Sequence, residues 1–254
     1  MAAVESVKAL IDRVDAEPAT LLVLNRTEPA PFLNLLSSAF ERQPVHVVER
    51  EVPGPISDEV ILVDKEGVRA TSHLTDLAEG FLLINSDQYR TSARNLEESA
   101  VPAVLRELTD IAFDLRGYPA SNKEKLLLIV MSRYIEARAL RIGSGELRAA
   151  FQRLSRLDDE YGTRMVYERL ADTDVETHVY GVDDDLSGVP ENLHVHADDT
   201  EEYRRSWFVT FESESGYDEA VALVAWETGE NHWRGSWTFD PAKTRSVVEY
   251  IRTL

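Results

Sequence analysis

The sequence predicts an α/β protein, in which a small N-terminal α/β unit at residues 1–86 precedes a larger domain at residues 87–254 with a mainly antiparallel sheet backed by helices. Three observations indicate this fold class. Apolar residues recur at helical spacing in several segments, short apolar runs bounded by turn residues alternate with them, and strand-like runs dominate the last third. The 254 residues can bury an adequate core as two domains or as one continuous domain.

The N-terminal unit contains both segments with helical spacing of apolar residues and short apolar runs typical of strands. Helices are predicted where apolar residues recur every three or four positions, at residues 4–14 and 31–42. Strands are predicted where short apolar runs lie between turn residues, at residues 20–24, 45–52, 59–63, 68–71 and 80–85. The turn Lys65-Glu66-Gly67 predicts a hairpin between the third and fourth of these strands. The polar residues 86–98 then connect this unit to the larger domain.

The larger domain is predicted to be built around one long helix. Ser121 and Glu124 fit the capping-box pattern, in which each side chain accepts a hydrogen bond from a backbone amide at the helix start. The helix covers residues 122–141, is apolar on all sides over residues 126–131, and ends at Gly143. Because a helix without a polar face is buried, we expect it at the centre of the domain. Other helices are predicted at residues 101–108, 146–156 and 161–171.

The last third of the chain predicts a β meander followed by a helix. The strands of the meander are expected at residues 194–197, 207–211, 220–227 and 232–239, after single strands at 111–115 and 175–182. The turn at residues 229–231 joins the last two strands as a hairpin. Asp240 suits an N-cap and Pro241 the first helical position. The buried face of this final helix is predicted to consist of Val247, Val248, Ile251 and Leu254.

Acidic residues dominate the charge of the chain. Asp and Glu number 46 against 27 Lys and Arg, which gives a formal charge of -19, and five of the basic residues are lysines. An excess of carboxylates with few lysines suits a cytoplasm at molar salt, where the Debye length falls to about 3 Å. An ordinary acidic cytosolic protein is the alternative interpretation.

Molar KCl is expected to raise the thermal midpoint of unfolding above its value at low salt, because screening weakens the repulsion between the excess carboxylates. Thermal unfolding of the purified protein at the two salt concentrations measures the difference. Equal midpoints would remove the halophilic interpretation.

Composition also disfavours several classes of function. An acidic surface is unsuited to nucleic acid and to anionic membranes, since both require basic residues on the protein. No segment reaches the ~20 apolar residues of a membrane helix. The charged residues Glu5, Lys8 and Asp12 interrupt the apolar positions of the N-terminus, whereas a signal peptide has an uninterrupted apolar core. The absence of cysteine excludes disulfides and thiolate catalysis. We therefore expect a soluble cytoplasmic protein that neither binds nucleic acid nor inserts into a membrane.

Three short motifs carry a resemblance to a known family. The first is Phe-Gln-Arg-Leu-Ser at residues 151–155, with Tyr167 after it. The second is the strand-like run that ends in Tyr180-Gly181, and the third is the patch from Trp233 to Pro241. In this order and spacing they resemble the DICT sensory domain, which occurs with diguanylate cyclases and two-component systems, and the third patch is similar to the ending of haloarchaeal members.

The resemblance implies a sensory protein of signal transduction without catalytic residues. It also implies a signalling partner, such as a histidine kinase or another output protein, because the sequence has no kinase or GGDEF elements of its own. Self-association as a homodimer is one further alternative. The sequence identifies no cofactor.

The candidate ligand site lies in the middle of the chain. Seven arginines fall between residues 133 and 164, and guanidinium groups bind carboxylate or phosphate bidentately. Salt bridges to neighbouring acidic residues are the favoured alternative, and the four tryptophans are assigned to packing in preference to a ligand-stacking wall. If the protein binds a ligand, we expect it between the helical middle and the sheet, near Arg138, Gln152, Arg153, Tyr161 and Arg164.

An enzyme and a pure scaffold are the competing functional classes. His194 and His196 are two apart on a predicted strand and share a face, so that with Asp198 or Asp199 they could hold a divalent metal in a hydrolase or transferase. A solvated edge strand is the favoured interpretation of the same residues. Neither a phosphate-binding glycine loop nor another catalytic signature accompanies them.

Overall fold

A computed structural model describes residues 6–14, 18–78, 102–109, 111–117, 119–121, 124–159, 161–184, 190–214 and 220–254. Within these ranges the protein has one sheet of four strands and one of seven, with helices packed on both. The predicted mixed α/β class is confirmed. The strand predicted at residues 80–85 and the connector at residues 86–98 lie outside the described residues.

The smaller sheet has the strand order β2-β1-β3-β4. Its strands are β1 Ala19–Leu24, β2 Val45–Arg50, β3 Glu59–Asp64 and β4 Gly67–His73. Strand β1 runs parallel to β2 and antiparallel to β3, and β3 and β4 form the predicted hairpin, with Leu62 opposite Ala70. Helix α2 (Ala30–Phe40) buries Leu36 and Phe40 against this sheet, whereas α1 (Val7–Asp12) packs on the larger one.

The larger sheet has the order β5-β11-β10-β9-β6-β7-β8. Its strands are β5 Phe113–Arg116, β6 Ser144–Arg153, β7 Asp174–Val182, β8 Leu193–Ala197, β9 Ser206–Glu212, β10 Val221–Gly229 and β11 His232–Thr238. Neighbours from β5 to β6 are antiparallel, whereas β6, β7 and β8 run parallel. The mainly antiparallel sheet is therefore confirmed.

Helices cover both faces of the larger sheet. These helices are α4 Leu126–Ile142, α5 Arg156–Asp159, α6 Tyr161–Ala171, α7 Glu201–Arg205 and α8 Pro241–Ile251. The helix before them in the chain, α3 Ala103–Glu107, packs on β3 and β4 of the smaller sheet, where its Val104 amide donates to the Ser72 hydroxyl. The larger core, on one face, contains α4 and α6, and a second core on the opposite face contains residues of α1, α7 and α8. Asp240 caps α8 by accepting a hydrogen bond from the amide of Lys243, as predicted.

Helix α4 is the predicted central helix. Leu127, Leu128 and Ile135 are almost completely buried, and Gly143 ends the helix in the left-handed conformation at φ 75°. The helix begins at Leu126, later than the predicted start at residue 122, with Lys125 at the N-cap position and no side-chain cap, so the predicted capping box does not cap it. The Ser121 hydroxyl accepts a hydrogen bond from the Glu124 amide at 3.2 Å, but the Glu124 carboxylate instead accepts the backbone N–H and the guanidinium of Arg116. The buried carboxylate therefore ties the start of α4 to the end of β5.

Of residues 146–156, predicted as a helix, residues 146–153 instead form most of strand β6, and Arg156 begins the short helix α5. The segment is rich in residues with good helix propensity, yet it lies in the middle of the sheet, between β9 and β7. Gly145 permits this arrangement, because it has φ 121° and a side-chain carbon there would lie 2.3 Å from the carbonyl oxygen of Glu212 on β9. Tertiary packing has overridden local propensity at this strand.

Strand β8 is not part of the meander, contrary to the prediction. It pairs parallel with β7 at the edge of the sheet, with Val195 opposite Val179, whereas β9 pairs with β6 and β10. Helix α7 follows β8 and redirects the chain, so β8 and β9 are consecutive in sequence but not neighbours in the sheet. In the final helix Val247, Val248 and Ile251 are buried as predicted, but Leu254 lies beyond the end of the helix and is only half-buried.

The two sheets meet through shared side chains. Phe40 of α2 contacts Phe113 of β5 with ring centroids 6.4 Å apart, and Phe113 stacks on Trp237 at 4.6 Å. The Gln43 side chain donates to the carbonyl of Asp114 at 2.8 Å and accepts its amide at 3.0 Å. The division into residues 1–86 and 87–254 stays a prediction.

Among the helices in the described ranges, none combines the length and the apolar character that crossing a membrane requires.

Candidate functional site

A cavity of about 330 Å³ lies between helix α4 and the larger sheet, and we call it the α4 cavity. Its lining comes from α4 and the residue before it, from strands β6 and β9, and from α5 and α6. The lining residues are Lys125, Ile129, Ser132, Arg133, Glu136, Ala150, Phe151, Gln152, Arg156, Thr163, Trp207 and Val209. A volume of this size is typical of small-molecule sites.

Helix α4 presents one stripe of residues to the cavity. The cavity-lining residues of this stripe are Lys125, Ile129, Ser132, Arg133 and Glu136. Each lies three or four positions from at least one other member, so their side chains project from the same side of the helix. The first half of α4 is apolar on all sides, but this stripe becomes polar towards Glu136. The helix is therefore both the centre of the core and one wall of the cavity.

A buried ionic network closes one side of the cavity. The Arg133 guanidinium binds the Glu136 carboxylate at 2.7 Å and donates to the Thr163 hydroxyl at 2.5 Å. Glu136, only 2% exposed, also accepts a hydrogen bond from the Tyr167 hydroxyl at 3.1 Å. Burial and the Glu136 carboxylate hold the pKa of Tyr167 well above its ordinary value, so the phenol remains a donor. The network fixes the positions of Arg133 and Glu136.

A bulge in β6 places Gln152 beside the cavity. The pairing of β6 with β7 shifts register between Ala150 and Arg153, and Gln152 has φ 62°, a left-handed conformation that is uncommon for a residue with a side chain. Its amide nitrogen donates to the Arg204 carbonyl at 2.9 Å and to Glu227 at 3.0 Å, and its amide oxygen accepts from Arg156 at 2.5 Å. Strained residues of this kind cluster at functional sites.

Aromatic side chains form another part of the lining. The indole nitrogen of Trp207 donates to the Ser132 hydroxyl at 3.1 Å, which anchors the ring against α4. The Lys125 ammonium lies 5.3 Å from the centroid of Trp207 and 5.5 Å from that of Trp233, within the range of cation–π attraction. Trp226, Trp233 and Trp237 are buried, in agreement with their assignment to packing, whereas Trp207 is half-buried and lines the cavity.

Of the five residues predicted near the ligand, Gln152 lines the α4 cavity. The Arg138 guanidinium donates to the Tyr134 hydroxyl at 3.1 Å, away from the lining. The Arg153 side chain is 68% exposed and lies 3.6 Å from the Asp184 carboxylate, while Arg164 pairs with Glu168 at 2.8 Å on the surface of α6. The side chain of Tyr161 lies outside the described residues. A ligand-binding role for these residues stays a prediction.

Sequence reasoning missed most of the lining, including Lys125, Trp207 and the buried Glu136. Arg156 was counted within the arginine cluster but not assigned to the site. A usable signal was the recurrence of polar residues at positions 125, 132, 133 and 136 on an otherwise apolar segment. No local pattern brings Trp207 to this stripe, because the sheet topology alone places β9 beneath α4.

A histidine cluster lies at the edge of the sheet, apart from the α4 cavity. His178 of β7, which was not predicted to take part, stands opposite His194 in the register of β8, and the two rings stack at 4.8 Å. The Nδ1 atom of His178 lies 2.9 Å from Nε2 of His196, and its own Nε2 lies 3.1 Å from Glu176 and 3.5 Å from Arg148. In the pair formed by His178 and His196, one imidazole donates a hydrogen bond to the other.

The two aspartates considered as metal ligands belong elsewhere. The Asp199 carboxylate binds the guanidinium of Arg204 twice at 2.6 Å, and the Asp198 side chain accepts the amide of Asp199. Across the part of the chain for which positions are given, no three His, Asp or Glu side chains are arranged to hold a metal ion. The geometry there is that of hydrogen-bonded, stacked imidazoles.

Lowering the pH below about 6.5 is expected to destabilise the protein through this cluster. Burial and the Arg148 guanidinium lower the pKa of His178, and burial with Arg148 and His194 lowers that of His196. Each histidine therefore binds a proton more readily in the unfolded chain. Its stabilising contribution is complete above the unfolded pKa and is lost as the pH falls through that value towards the folded pKa.

Thermal unfolding between about pH 8 and pH 5, above the range in which most carboxylates titrate, measures this effect. The variant His178→Gln is expected to show a weaker pH dependence of its thermal midpoint than the wild type. His46→Gln, at an exposed position on β2, provides the control and keeps the wild-type slope. Equal slopes for His178→Gln and the wild type would show that the cluster does not govern acid stability.

Comparison with known proteins assigns residues 102–228 to a family. The model of the DICT family, a sensory domain in diguanylate cyclases and two-component systems, matches residues 102–228, which is half of the sequence. No curated protein matches it. Among solved structures, polyphosphate kinase from Porphyromonas gingivalis aligns with this chain at 11% identity and a TM-score of 0.35. The alignment covers 96% of this chain and 44% of the kinase chain. This chain thus spans less than half the length of that kinase.

Proposed function

The chain belongs to the DICT family of sensory domains, and from this premise we propose that it is a non-enzymatic sensory protein that binds a small ligand in the α4 cavity and passes the signal to a protein partner. A histidine kinase or another signalling output protein is the kind of partner that the family context supports. We place this activity in the cytoplasm, in keeping with the acidic composition.

One observation carries this proposal: the α4 cavity lies wholly within the family segment. Its lining residues fall between Lys125 and Val209, inside the matched range 102–228. A sensory domain needs a site at which the signal is received, and a concave pocket with apolar walls and a few convergent polar groups is the usual form of such a site.

The hydrogen bonds of Gln152 suggest how binding would reach the surface. Arg156, at the exposed rim, holds the amide oxygen of Gln152, whose nitrogen in turn holds the Arg204 carbonyl in α7 and the Glu227 carboxylate in β10. A ligand that draws Arg156 away would change the position of Gln152. Such a change would shift α7 on the far side of the sheet, where a partner protein could detect it.

Blocking the cavity tests the proposal. Ile129 is a half-buried residue in the middle of the α4 stripe, so Ile129→Trp would fill the cavity while its ring still reaches solvent. Val68→Trp, at a position 67% exposed on β4, is the matched control. Native mass spectrometry of the protein isolated gently from its own cells is expected to show a retained small molecule on the wild type and on the control, but not on Ile129→Trp.

Two results would contradict the proposal. A molecule retained on Ile129→Trp would show that the ligand binds elsewhere. If none of the three proteins retains a molecule, the protein does not bind the proposed ligand. The thermal midpoint of each variant, measured in parallel, verifies that both remain folded.

A further inference from the structure

The chemistry of the α4 cavity indicates what class of ligand it accepts. Resting on the function proposed above, we infer that the ligand is a small molecule that joins a planar aromatic ring to an anionic group, either a carboxylate or a phosphate. The charge of the lining, the neutral partners of Arg156 and the aromatic wall each support one part of this inference.

The lining of the cavity is cationic in a strongly acidic protein. Lys125, Arg133 and Arg156 face it, against the single carboxylate of Glu136, whereas the whole chain has a formal charge of -19. Arg133 and Glu136 bind each other, whereas the Arg156 guanidinium is held by neutral oxygens. Within a partly enclosed, low-dielectric site an excess of positive charge attracts anions and repels cations.

Arg156 is positioned to exchange its present partners for an anion. Its guanidinium donates to two neutral oxygens, the Gln152 amide at 2.5 Å and the Phe151 carbonyl at 3.4 Å. A carboxylate or phosphate adds a direct charge–charge attraction to the guanidinium and can accept two of its N–H groups at once, which a single neutral oxygen does not. An anion at the rim would therefore compete well for Arg156, and it would do so at the residue that holds Gln152.

The aromatic wall accounts for the ring. Trp207 is held in place by its hydrogen bond to Ser132, and Phe151 is held by edge contact with Tyr167 at 5.2 Å. Ile129 and Val209 complete the apolar part of the lining. Rigid aromatic side chains favour planar partners, because stacking gains contact area without loss of side-chain freedom. A ring that enters beside Trp207 brings its substituent towards Arg156 at the rim.

Calorimetric titration of the purified full chain with matched probes tests the inference. Naphthoate and naphthamide share a ring system and differ in charge, and adenosine monophosphate and adenosine differ by a phosphate. We expect at least one anion to bind about tenfold or more tightly than its neutral partner, a preference equivalent to about 1.4 kcal/mol. Hexanoate, an anion without a ring, is expected to bind more weakly than naphthoate.

Variants connect this preference to the named residues. Lys125→Gln and Arg156→Gln are expected to reduce the preference for the anion severalfold, and Trp207→Leu to reduce the preference for naphthoate over hexanoate. Arg153→Gln serves as the control for Arg156→Gln, since Arg153 is three residues before it but points to Asp184. Lys243→Gln, on the exposed side of α8, is the control for Lys125→Gln.

Three outcomes would overturn the inference: equal binding of the neutral and anionic partners, no binding of any probe, or an effect of Arg153→Gln where Arg156→Gln has none. The proposed function fails independently of these results. It would stand if native mass spectrometry still finds a retained molecule of another class on the wild type, and it would fall if the wild type retains none.

Discussion

Replacing Leu127 by aspartate is expected to lower the free energy of unfolding by about 4 kcal/mol, enough to reduce the thermal midpoint by about 10 °C. Leu127 is 1% exposed and belongs to the larger core, where α4 packs against the sheet. A carboxylate at this position would lose its hydration without gaining a partner, and the packing of the leucine would be lost as well.

Chemical denaturation and thermal unfolding of Leu127→Asp measure this loss. Arg141→Asp provides the control on the same helix, because Arg141 is exposed in the last turn and its replacement places an acid near the helix C-terminus at a cost of about 1 kcal/mol or less. An unchanged midpoint for Leu127→Asp would show that α4 is not the central buried helix.

Gly145→Ala is expected to be nearly as damaging, although it adds a single methyl group. Gly145 has φ 121°, and a side-chain carbon there would lie 2.3 Å from the carbonyl oxygen of Glu212 on the neighbouring strand. Since that oxygen belongs to the backbone of β9, relief requires the strands to separate. We expect a loss of about 3 kcal/mol in the free energy of unfolding.

Gly143→Ala separates backbone strain from steric overlap. Gly143 also has a positive φ, at 75°, but its nearest contact would be the Leu140 carbonyl at 4.0 Å. Its substitution should therefore cost only the left-handed conformation, about 1 kcal/mol. If denaturation gives equal losses for the two alanine variants, the close approach of β6 to β9 is not present.

The same segment shows why part of the fold could not be predicted. Residues 146–153 have good helix propensity, and as a central strand they are buried on both sides, so the period-two alternation that marks an exposed strand is absent. The β3–β4 hairpin and the end of α4 were predicted correctly, because a turn at residues 65–67 and a glycine at residue 143 determine them locally. Strand order in the larger sheet depends on contacts far apart in sequence.

The candidate site also contains one residue that a local motif identified and others that only the fold brings together. Gln152 lies in a motif that resembles a known family and was singled out on that basis, and the structure places it at a bulge beside the cavity. Arg153 belongs to the same motif and is the next residue in the sequence. Because successive side chains of a strand point to opposite sides, its guanidinium is directed outwards to Asp184. Trp207 and Lys125 come together only when β9 lies beneath α4, so no motif could have paired them.

Hydrogen exchange on the full chain tests most directly whether the α4 cavity receives the signal. The measurement compares the wild type with and without the low-molecular-mass fraction of a lysate from the cells that produce it. Binding in the cavity is expected to slow exchange in α4 between residues 126 and 136 and at the β6 bulge between residues 150 and 156, while residues 45–73 of the smaller sheet remain unchanged. Unchanged exchange throughout, or protection confined to β7 and β8 at the histidine cluster, would contradict a sensory role for the cavity.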